Sequence, residues 1–206
     1  MKRLILVFII TVFVSAQSDF ENGVKKFLFY DNDYSISLRL FEKSCSEEKV
    51  AMACYMAAII LNRSGDQKSA DELYKRACDM GSMQACSVVG DMYNEGFGGF
   101  DVNYAKAREL YLKACDAKVA SACMRVAAHY NAGIGGVQED FKRAVELYEK
   151  ACKYGDLQGC ITIALVYKNG SAEVKRDIKK AAEFYGMACD RGFDEGCMEF
   201  RRLNKQ

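Results

Sequence analysis

One repeating unit of this chain lies in residues 86–123, which read CSVVGDMYNEGFGGFDVNYAKARELYLKACDAKVASAC. Small and apolar residues recur at helical spacing over Cys86–Tyr93 and again over Asn103–Cys115, so each segment predicts a helix. We name them the A helix and the B helix. The glycine-rich run at 96–99 separates them, because glycine takes the left-handed conformations that end a helix and turn the chain. The unit therefore predicts two helices joined by a turn.

The same unit recurs along the chain with a period of 37 residues. The cysteine that ends each B helix is followed, eight residues later, by the cysteine of the next A helix. These pairs are Cys78 and Cys86, Cys115 and Cys123, Cys152 and Cys160, and Cys189 and Cys197. Cys45 and Cys54 form a fifth pair, nine residues apart, and the second repeat is shorter than the others. A regular period of this size is typical of stacked helical repeats, so we predict an all-α fold.

Residues 17–206 are predicted to form five A/B helix pairs followed by a C-terminal capping helix. The first pair is predicted at Phe20–Asp31 and Asp33–Cys45. Its A helix has no cysteine, because no earlier B helix exists to form a bond with it. The last helix, Asp194–Leu203, ends in charged residues that suit a polar cap.

The first sixteen residues predict a cleaved export signal. Lys2 and Arg3 precede an apolar run at 4–14, and Val14-Ser15-Ala16 is a small-residue cleavage site, so the mature chain would begin at Gln17. A membrane helix needs about 18 apolar residues, and neither this run nor any later stretch is that long. We expect a protein that is secreted or periplasmic and that does not insert into a membrane after cleavage.

The charge of the chain is almost balanced, with 29 basic and 28 acidic residues. Nucleic acids and anionic membrane surfaces are bound by a basic stripe or patch. We therefore expect neither of them as a partner, and we expect the protein to be a monomer.

The repeated residues resemble those of Sel1-like repeats, which are relatives of the tetratricopeptide fold. The resemblance covers residues 20–203 and is carried by Gly-x-Gly-Gly, an acidic residue, Lys/Arg-Ala, Leu-Tyr and Lys-Ala-Cys. The cysteine spacing is similar to that of the Helicobacter cysteine-rich proteins. The resemblance implies a right-handed α/α solenoid with one disulfide per repeat. Two connections, Gly170–Glu173 and Ser64–Asp66, depart from the pattern, and we expect those loops to differ in shape.

The cysteine spacing requires a turn between the two members of each pair. On one continuous helix, residues eight apart would be separated by about 12 Å, which is too far for a disulfide. Gly81, Gly155 and Gly192 lie three residues after the first cysteine of their pairs, where a helix C-cap needs them. Lys118 and Glu48 occupy this place in the other two pairs, so those turns are expected to be strained or built differently. Each bridge would tie the end of a B helix to the start of the next A helix.

A zinc site is the alternative use of paired cysteines. Zinc prefers two to four residues between its cysteines and often uses histidine. This chain has a single histidine, and it carries a predicted export signal. We therefore favour five disulfides and expect neither a metal nor a cofactor.

His129 is that single histidine, and the matching A-helix positions of other repeats hold Ile60, Met92 and Val166. A partly buried structural histidine is therefore our preferred interpretation. The alternative is a proton carrier in a catalytic site, for which the sequence shows no partner.

The family resemblance also implies an enzymatic alternative, because cysteine-rich relatives have been described as penicillin-binding proteins or β-lactamases. The chain contains one Ser-x-x-Lys match, Ser46–Lys49, but lacks the Ser-Asp-Asn and Lys-Thr-Gly elements of serine enzymes. A zinc lactamase would need several histidines. We predict no catalytic residues and keep β-lactamase activity as the alternative function.

We expect instead a scaffold that binds a peptide or protein on a concave face, with a host protein as one candidate partner. In tetratricopeptide register, this face is lined by the residues one, five, eight and nine positions after each A-helix cysteine. The members predicted to contact the ligand are Asn62, Asn94, Asn131, Tyr55, Ile59, Met124 and Ile161. An asparagine amide offers both a donor and an acceptor to a peptide backbone. The alternative is that these asparagines serve the turns at the helix ends.

Overall fold

The computed structural model describes residues 19–27 and 34–205. The predicted export signal at 1–16 and the end of the predicted first A helix, at 28–31, lie outside the described residues. The described part of the chain forms eleven helices and no strand. They are α1 (19–27), α2 (Ser35–Ser46), α3 (Ala51–Ser64), α4 (Gln67–Asp79), α5 (Met83–Glu95), α6 (Tyr104–Asp116), α7 (Ala120–Asn131), α8 (Phe141–Lys153), α9 (Leu157–Asn169), α10 (Ile178–Cys189) and α11 (Asp194–Leu203). Odd-numbered helices are A helices and even-numbered helices are B helices.

The chain divides into two compact units. The first unit consists of Met1–Val89 and Gly98–Phe100, and the second consists of Gly90–Phe97 and Asp101–Gln206. In the first unit α2 packs on α3 and α3 on α4, and in the second unit each helix from α6 to α11 packs on the next in sequence. In the described part of the chain, no helix has the length and apolar character needed to cross a bilayer.

The core of each helix pair contains a buried aromatic side chain of the B helix. These aromatic residues, four before the B-helix cysteine, are all buried: Phe41, Tyr74, Tyr111, Tyr148 and Tyr185. Gly90 shows how close the helices come, because a Cβ atom at this position would lie 2.6 Å from Cε1 of Tyr111. A Cβ atom at Gly23 would likewise lie 2.8 Å from the ring of Phe41. The small residue in the A helix is therefore required by packing.

The A-helix tyrosine anchors the start of the following B helix. Its carbonyl accepts a hydrogen bond of 2.7–2.8 Å from the N-cap residue, in the pairs Tyr93 and Asn103, Tyr130 and Asp140, and Tyr167 and Asp177. The ring of the same tyrosine lies beneath a cation in the first turn of that helix, at 4.5–4.6 Å, in the pairs Tyr93 and Lys106, Tyr130 and Arg143, and Tyr167 and Lys180. Each N-cap side chain also accepts the N–H three residues on. These contacts explain why an acidic residue or asparagine and a Lys/Arg recur in the repeat.

Five disulfides join the B helices to the A helices that follow them. They are Cys45–Cys54, Cys78–Cys86, Cys115–Cys123, Cys152–Cys160 and Cys189–Cys197, with Cα atoms 4.4–4.8 Å apart. The all-α prediction with one disulfide per repeat is confirmed. All ten cysteines of the chain are paired in these bridges.

The turn inside each disulfide loop contains one residue in the left-handed conformation. In three loops this residue is the expected glycine: Gly81, Gly155 and Gly192. Lys118 takes the same conformation with φ 66°, so this turn is strained. In the first loop the left-handed residue is Lys49, not Glu48, because the spacing of nine moves the turn by one position.

The two connections that depart from the repeat pattern are built differently. In the loop after α9, the Ser171 hydroxyl accepts the N–H groups of Glu173 and Val174, and this turn replaces the two glycines. After α3, Gly65 ends the helix with φ 89°, and the side chain of Asp66 caps α4 directly. The second connection therefore needs only two residues between its helices.

Candidate functional site

We define the A-helix face as the side chains one, five, eight and nine residues after each A-helix cysteine. In the first unit these are Tyr55, Ile59, Asn62, Arg63 and Ser87, and in the second unit they are Asp91, Asn94, Glu95, Met124, Ala128, Asn131, Ala132, Ile161, Leu165, Lys168 and Asn169. All of them are exposed or half-buried except Ser87, which is 6% exposed. Ser87 is therefore not available to a ligand, whereas all seven side chains predicted to contact one retain solvent access.

In the first unit two side chains of the face, Tyr55 and Asn62, contact Tyr74 of α4. The ring of Tyr55 packs against the ring of Tyr74, with centroids 5.9 Å apart. Burial raises the pKa of Tyr74, and the Asn62 amide opposes this rise by hydrogen bonding to the hydroxyl. Tyr55 and Ile59 are half-buried beside the exposed Asn62. This part of the face therefore combines an aromatic edge, an aliphatic side chain and one amide.

In the second unit a charged contact crosses from α5 to α7. Arg125 Nε lies 3.1 Å from Asp91 Oδ1, and the hydroxyl of Tyr111 donates to the same oxygen at 2.7 Å. Burial raises the pKa of the Asp91 carboxyl, whereas the Tyr111 hydrogen bond and the charge of Arg125 act in the opposite direction. The guanidinium of Arg125 remains half exposed.

A second contact joins the same two helices one turn further on. His129 Nε2 lies 2.9 Å from Asn94 Oδ1, and the rings of Tyr104 and Tyr111 pack edge-on against the imidazole. His129 is only 3% exposed, and its Nδ1 is buried without a hydrogen-bond partner among the described residues. Burial lowers the pKa of His129, and the charges of Arg108 and Arg125 lower it further. The imidazole is therefore neutral at physiological pH.

The three asparagines predicted to contact a ligand are not equivalent. The amide of Asn62 lies by Tyr74, and that of Asn94 is bound to His129, while Asn131 makes no side-chain hydrogen bond within the described ranges. Met124 and Ile161 are half-buried at the start of their helices.

The sequence shows no partner for His129, and the structure supplies one. The partner is Asn94, which lies 35 residues earlier, and the two side chains belong to A helices of neighbouring repeats. The sequence contains one signal for this pair. His129 is the sixth residue after its A-helix cysteine, Asn94 is the eighth residue after the preceding one, and both are polar. Asp91, the fifth residue after its A-helix cysteine, is joined in the same way to Arg125, the second residue after the next A-helix cysteine.

The single Ser-x-x-Lys match is not arranged for catalysis. The hydroxyl of Ser46 donates to the carbonyls of Glu42 and Lys43 in its own helix, at 2.8 and 3.2 Å. Lys49 is exposed and takes a left-handed conformation in the following turn. A nucleophilic serine needs a base that receives its proton, and Ser46 is bonded to main-chain oxygens instead. Within 19–27 and 34–205, no cluster of His, Cys, Asp or Glu could hold a metal ion.

Comparison with known protein families matches the Sel1 repeat to residues 51–82, 84–119, 120–156 and 159–193. Among solved structures, a Sel1 repeat protein from Oxalobacter formigenes is 17% identical with a TM-score of 0.77, over 92% of this chain and 86% of that protein. A protective antigen of uropathogenic Escherichia coli is 18% identical with a TM-score of 0.70, over 90% of this chain. This chain spans only 40% of the length of that antigen.

The cysteine-rich protein B of Helicobacter pylori is 26% identical over 60% of this chain and 94% of that protein, with a TM-score of 0.48. Curated protein sequences give no significant match.

Proposed function

Because the chain belongs to the Sel1 repeat family, we propose that it is a disulfide-rich scaffold that binds an extended peptide or protein segment on its A-helix face. One observation carries the proposal. The buried positions repeat the same cysteines, alanines and aromatic residues, whereas the accessible positions of the A-helix face change chemistry from repeat to repeat. Uniform cores with a varied accessible face are what a recognition surface on a repeat scaffold requires.

Preorganisation supports this function. The side chains of the face stand on helices that are fixed at each B-to-A turn by a disulfide, and three of the A-to-B loops are also held by the tyrosine contacts. Little conformational entropy is then lost by the scaffold when a flexible segment binds. Asparagine amides satisfy the ligand backbone irrespective of its sequence, and the half-buried Met124, Ile59 and Ile161 provide apolar contact.

The proposed compartment is extracytoplasmic. Five disulfides are typical of proteins that fold and persist in an oxidising environment. Together with the predicted export signal, they favour a secreted or periplasmic location, where a partner could be a protein of the same cell envelope or of a host.

The test is selection of peptides from a phage-displayed random library on the oxidised protein, followed by titration of the selected peptides against variants. Replacing Asn62, Asn94 and Asn131 with alanine should weaken binding by about tenfold or more, since each lost hydrogen bond contributes about 0.5–1.5 kcal/mol. Replacing Lys75 and Lys113 with alanine on the B helices is the matched control and should leave the affinity unchanged. A triple variant that loses thermal stability but keeps the peptide would refute the proposal.

β-Lactamase activity remains the alternative, and no contact in the described residues favours it. The bonding of Ser46 to main-chain carbonyls argues against a serine nucleophile. We expect the purified protein to hydrolyse a chromogenic cephalosporin no faster than a reduced and alkylated control. Turnover that a single substitution abolishes would restore the enzymatic interpretation.

A further inference from the structure

We propose that His129 is a positioning residue that holds the amide of Asn94 with its NH2 group available, so that this part of the A-helix face takes an acceptor oxygen of the bound peptide. The proposal rests on the proposed function and specifies the ligand group recognised between α5 and α7. It also accounts for a histidine at a position where other repeats carry Ile60, Met92 and Val166.

The hydrogen bond between His129 and Asn94 has two possible directions. If Nε2 were the acceptor, the ring hydrogen would be on Nδ1, which is buried and has no acceptor among the described residues. A buried N–H without a partner is rarer and more costly than a buried lone pair without one. The Nε2–H form is therefore favoured, and it donates to Asn94 Oδ1 at 2.9 Å.

This direction determines what Asn94 offers to a ligand. The imidazole takes one lone pair of its oxygen and holds that oxygen toward α7, while both hydrogens of its NH2 group remain to donate. Asn94 is half-buried and lies eight residues after Cys86, near the end of α5. A ligand group that meets this NH2 group must be an acceptor, either a backbone carbonyl or a carboxylate.

Packing holds the imidazole in this orientation. Its ring centroid lies 6.2 Å from that of Tyr104 and 5.7 Å from that of Tyr111, and both tyrosine rings are nearly perpendicular to it. Protonation would place a hydrogen on the unpartnered Nδ1, close to the charges of Arg108 and Arg125. The neutral Nε2–H form, and with it the orientation of Asn94, is therefore maintained.

Arg125 supplies a second donor beside Asn94. Asp91 and Asn94 lie one turn apart on α5, and Arg125 and His129 lie one turn apart on α7, so the two contacts are neighbours. Arg125 uses Nε toward Asp91, and its half-exposed guanidinium has further N–H groups. The NH2 group of Asn94 and the guanidinium of Arg125 therefore both donate hydrogen bonds. Glu95 follows Asn94 directly on α5. Its negative charge would repel a carboxylate ligand but not a neutral carbonyl.

The next pair of A helices provides an internal comparison. The positions that correspond to Asn94 and His129 hold Asn131 and Val166. Valine cannot donate a hydrogen bond, so the amide of Asn131 is free to present either its oxygen or its NH2 group. The pair of Asn131 and Val166 therefore shows the same arrangement without a hydrogen-bond donor at the histidine position.

The first experiment needs no ligand. Nitrogen-15 NMR of the oxidised protein distinguishes the two neutral forms of His129 by the chemical shifts of its ring nitrogens. We expect the Nε2–H form, and we expect the side-chain amide signals of Asn94 to shift in His129→Met. A neutral ring with its hydrogen on Nδ1 would overturn the inference and leave the proposed peptide binding untouched.

The second experiment is a double-mutant cycle with a peptide selected on the wild-type protein. Asn94→Ala and His129→Met should each weaken binding by about three- to tenfold, the loss of one hydrogen bond. Combining them should weaken binding no further, because His129 acts through Asn94. His129→Gln, which keeps a donor, should retain part of the affinity, and Val166→Met is the control that should not change it.

Chemical variants of the same peptide identify the acceptor. Replacing single backbone amides with esters weakens a carbonyl acceptor, while amidating the C terminus and exchanging Asp or Glu for the corresponding amide removes a carboxylate. The change that affects the acceptor bound by Asn94 should weaken binding to the wild-type protein but should not weaken binding to Asn94→Ala any further. Additive effects of His129→Met and Asn94→Ala, or an unchanged affinity in His129→Met, would refute the positioning role. A selected peptide that is insensitive to every face substitution would instead refute the proposed function.

Discussion

Lys118 occupies a backbone conformation that suits glycine. Its φ is 66°, and three of the other disulfide loops place glycine at the corresponding position. The left-handed conformation costs a residue with a Cβ atom about 1–2 kcal/mol. Glycine avoids this cost but loses more conformational entropy on folding, which offsets part of the gain. The strain persists because the disulfide between Cys115 and Cys123 closes the turn.

Lys118→Gly is therefore expected to raise the free energy of unfolding by about 0.5–1 kcal/mol. The measurement is urea denaturation of the oxidised protein, followed by circular dichroism. Lys118→Ala removes the same charge but keeps a Cβ atom, so it should give no such gain. An equal gain from both variants would mean that charge, not backbone strain, is responsible.

His129 should make the stability of the protein depend on pH. Burial and the charges of Arg108 and Arg125 lower its pKa in the folded state, while the unfolded chain has the ordinary value of about 6.5. As the pH falls below this value, the unfolded state binds a proton that the folded state does not, so the free energy of unfolding decreases. Above it, both states are neutral and His129 contributes no pH dependence.

His129→Met should remove this dependence, since the chain has no other histidine. We expect the difference in unfolding free energy between wild type and variant to change by up to about 1.4 kcal/mol per pH unit below roughly pH 6.5. Asp91, whose carboxyl has a pKa raised by burial, is present in both proteins, so its opposing effect largely cancels. A difference that stays constant between roughly pH 7.5 and pH 5 would contradict the buried neutral imidazole.

The second helix of the first pair differs from its later counterparts at two buried positions. Ser37 and Ser44 lie eight residues and one residue before the B-helix cysteine, and both are almost completely buried. The same positions in α4, α6, α8 and α10 are all alanine: Ala70, Ala107, Ala144 and Ala181, and Ala77, Ala114, Ala151 and Ala188. Within the described ranges, neither serine hydroxyl has a hydrogen-bond partner.

Ser37→Ala and Ser44→Ala should each stabilise the protein by about 1 kcal/mol, because each removes an unsatisfied buried hydroxyl and improves helix propensity. Thermal and urea unfolding of each variant will measure this. Ser46→Ala is the matched control in the same helix, since the Ser46 hydroxyl is exposed and already bonded. Destabilisation by Ser37→Ala or Ser44→Ala would show that these hydroxyls have partners, such as buried water.

Five short disulfide loops make the folded chain dependent on its redox state. Each bridge encloses a loop of eight or nine residues, which corresponds to about 2–3 kcal/mol by the loop-entropy estimate. Their combined contribution is large compared with the roughly 5–15 kcal/mol of stability that is usual for a domain. A location in an oxidising compartment is consistent with this dependence.

Full reduction with dithiothreitol is expected to lower the melting temperature sharply and to make the chain sensitive to proteases. Replacing only Cys189 and Cys197 with alanine should cost about 2–3 kcal/mol and leave the rest folded. Peptide mapping without reduction should recover the five neighbouring pairs. Free thiols, pairs that cross repeats, or a melting temperature unaffected by reduction would each contradict this account.

The sequence by itself determined the helical pairs and the disulfide frame. These features depend on residues within one period: the alanines and aromatic residues of the core, the N-cap followed by a cation, and two cysteines separated by a turn. Even the strain at Lys118 was foreseeable, because a lysine stands where three other repeats place glycine.

Only the tertiary structure decided which side chains meet between repeats. Asp91 pairs with Arg125, and Asn94 with His129, across helices whose residues are more than thirty positions apart. These partnerships depend on the register between α5 and α7. The B helix between them, α6, contributes to that register, since its Tyr111 packs on Gly90 and donates to Asp91. Spacing along one helix shows which residues share a face, but it contains no information on how far that helix slides along its neighbour. The pairing of His129 with Asn94, and therefore the donor character of this part of the face, follows from that register.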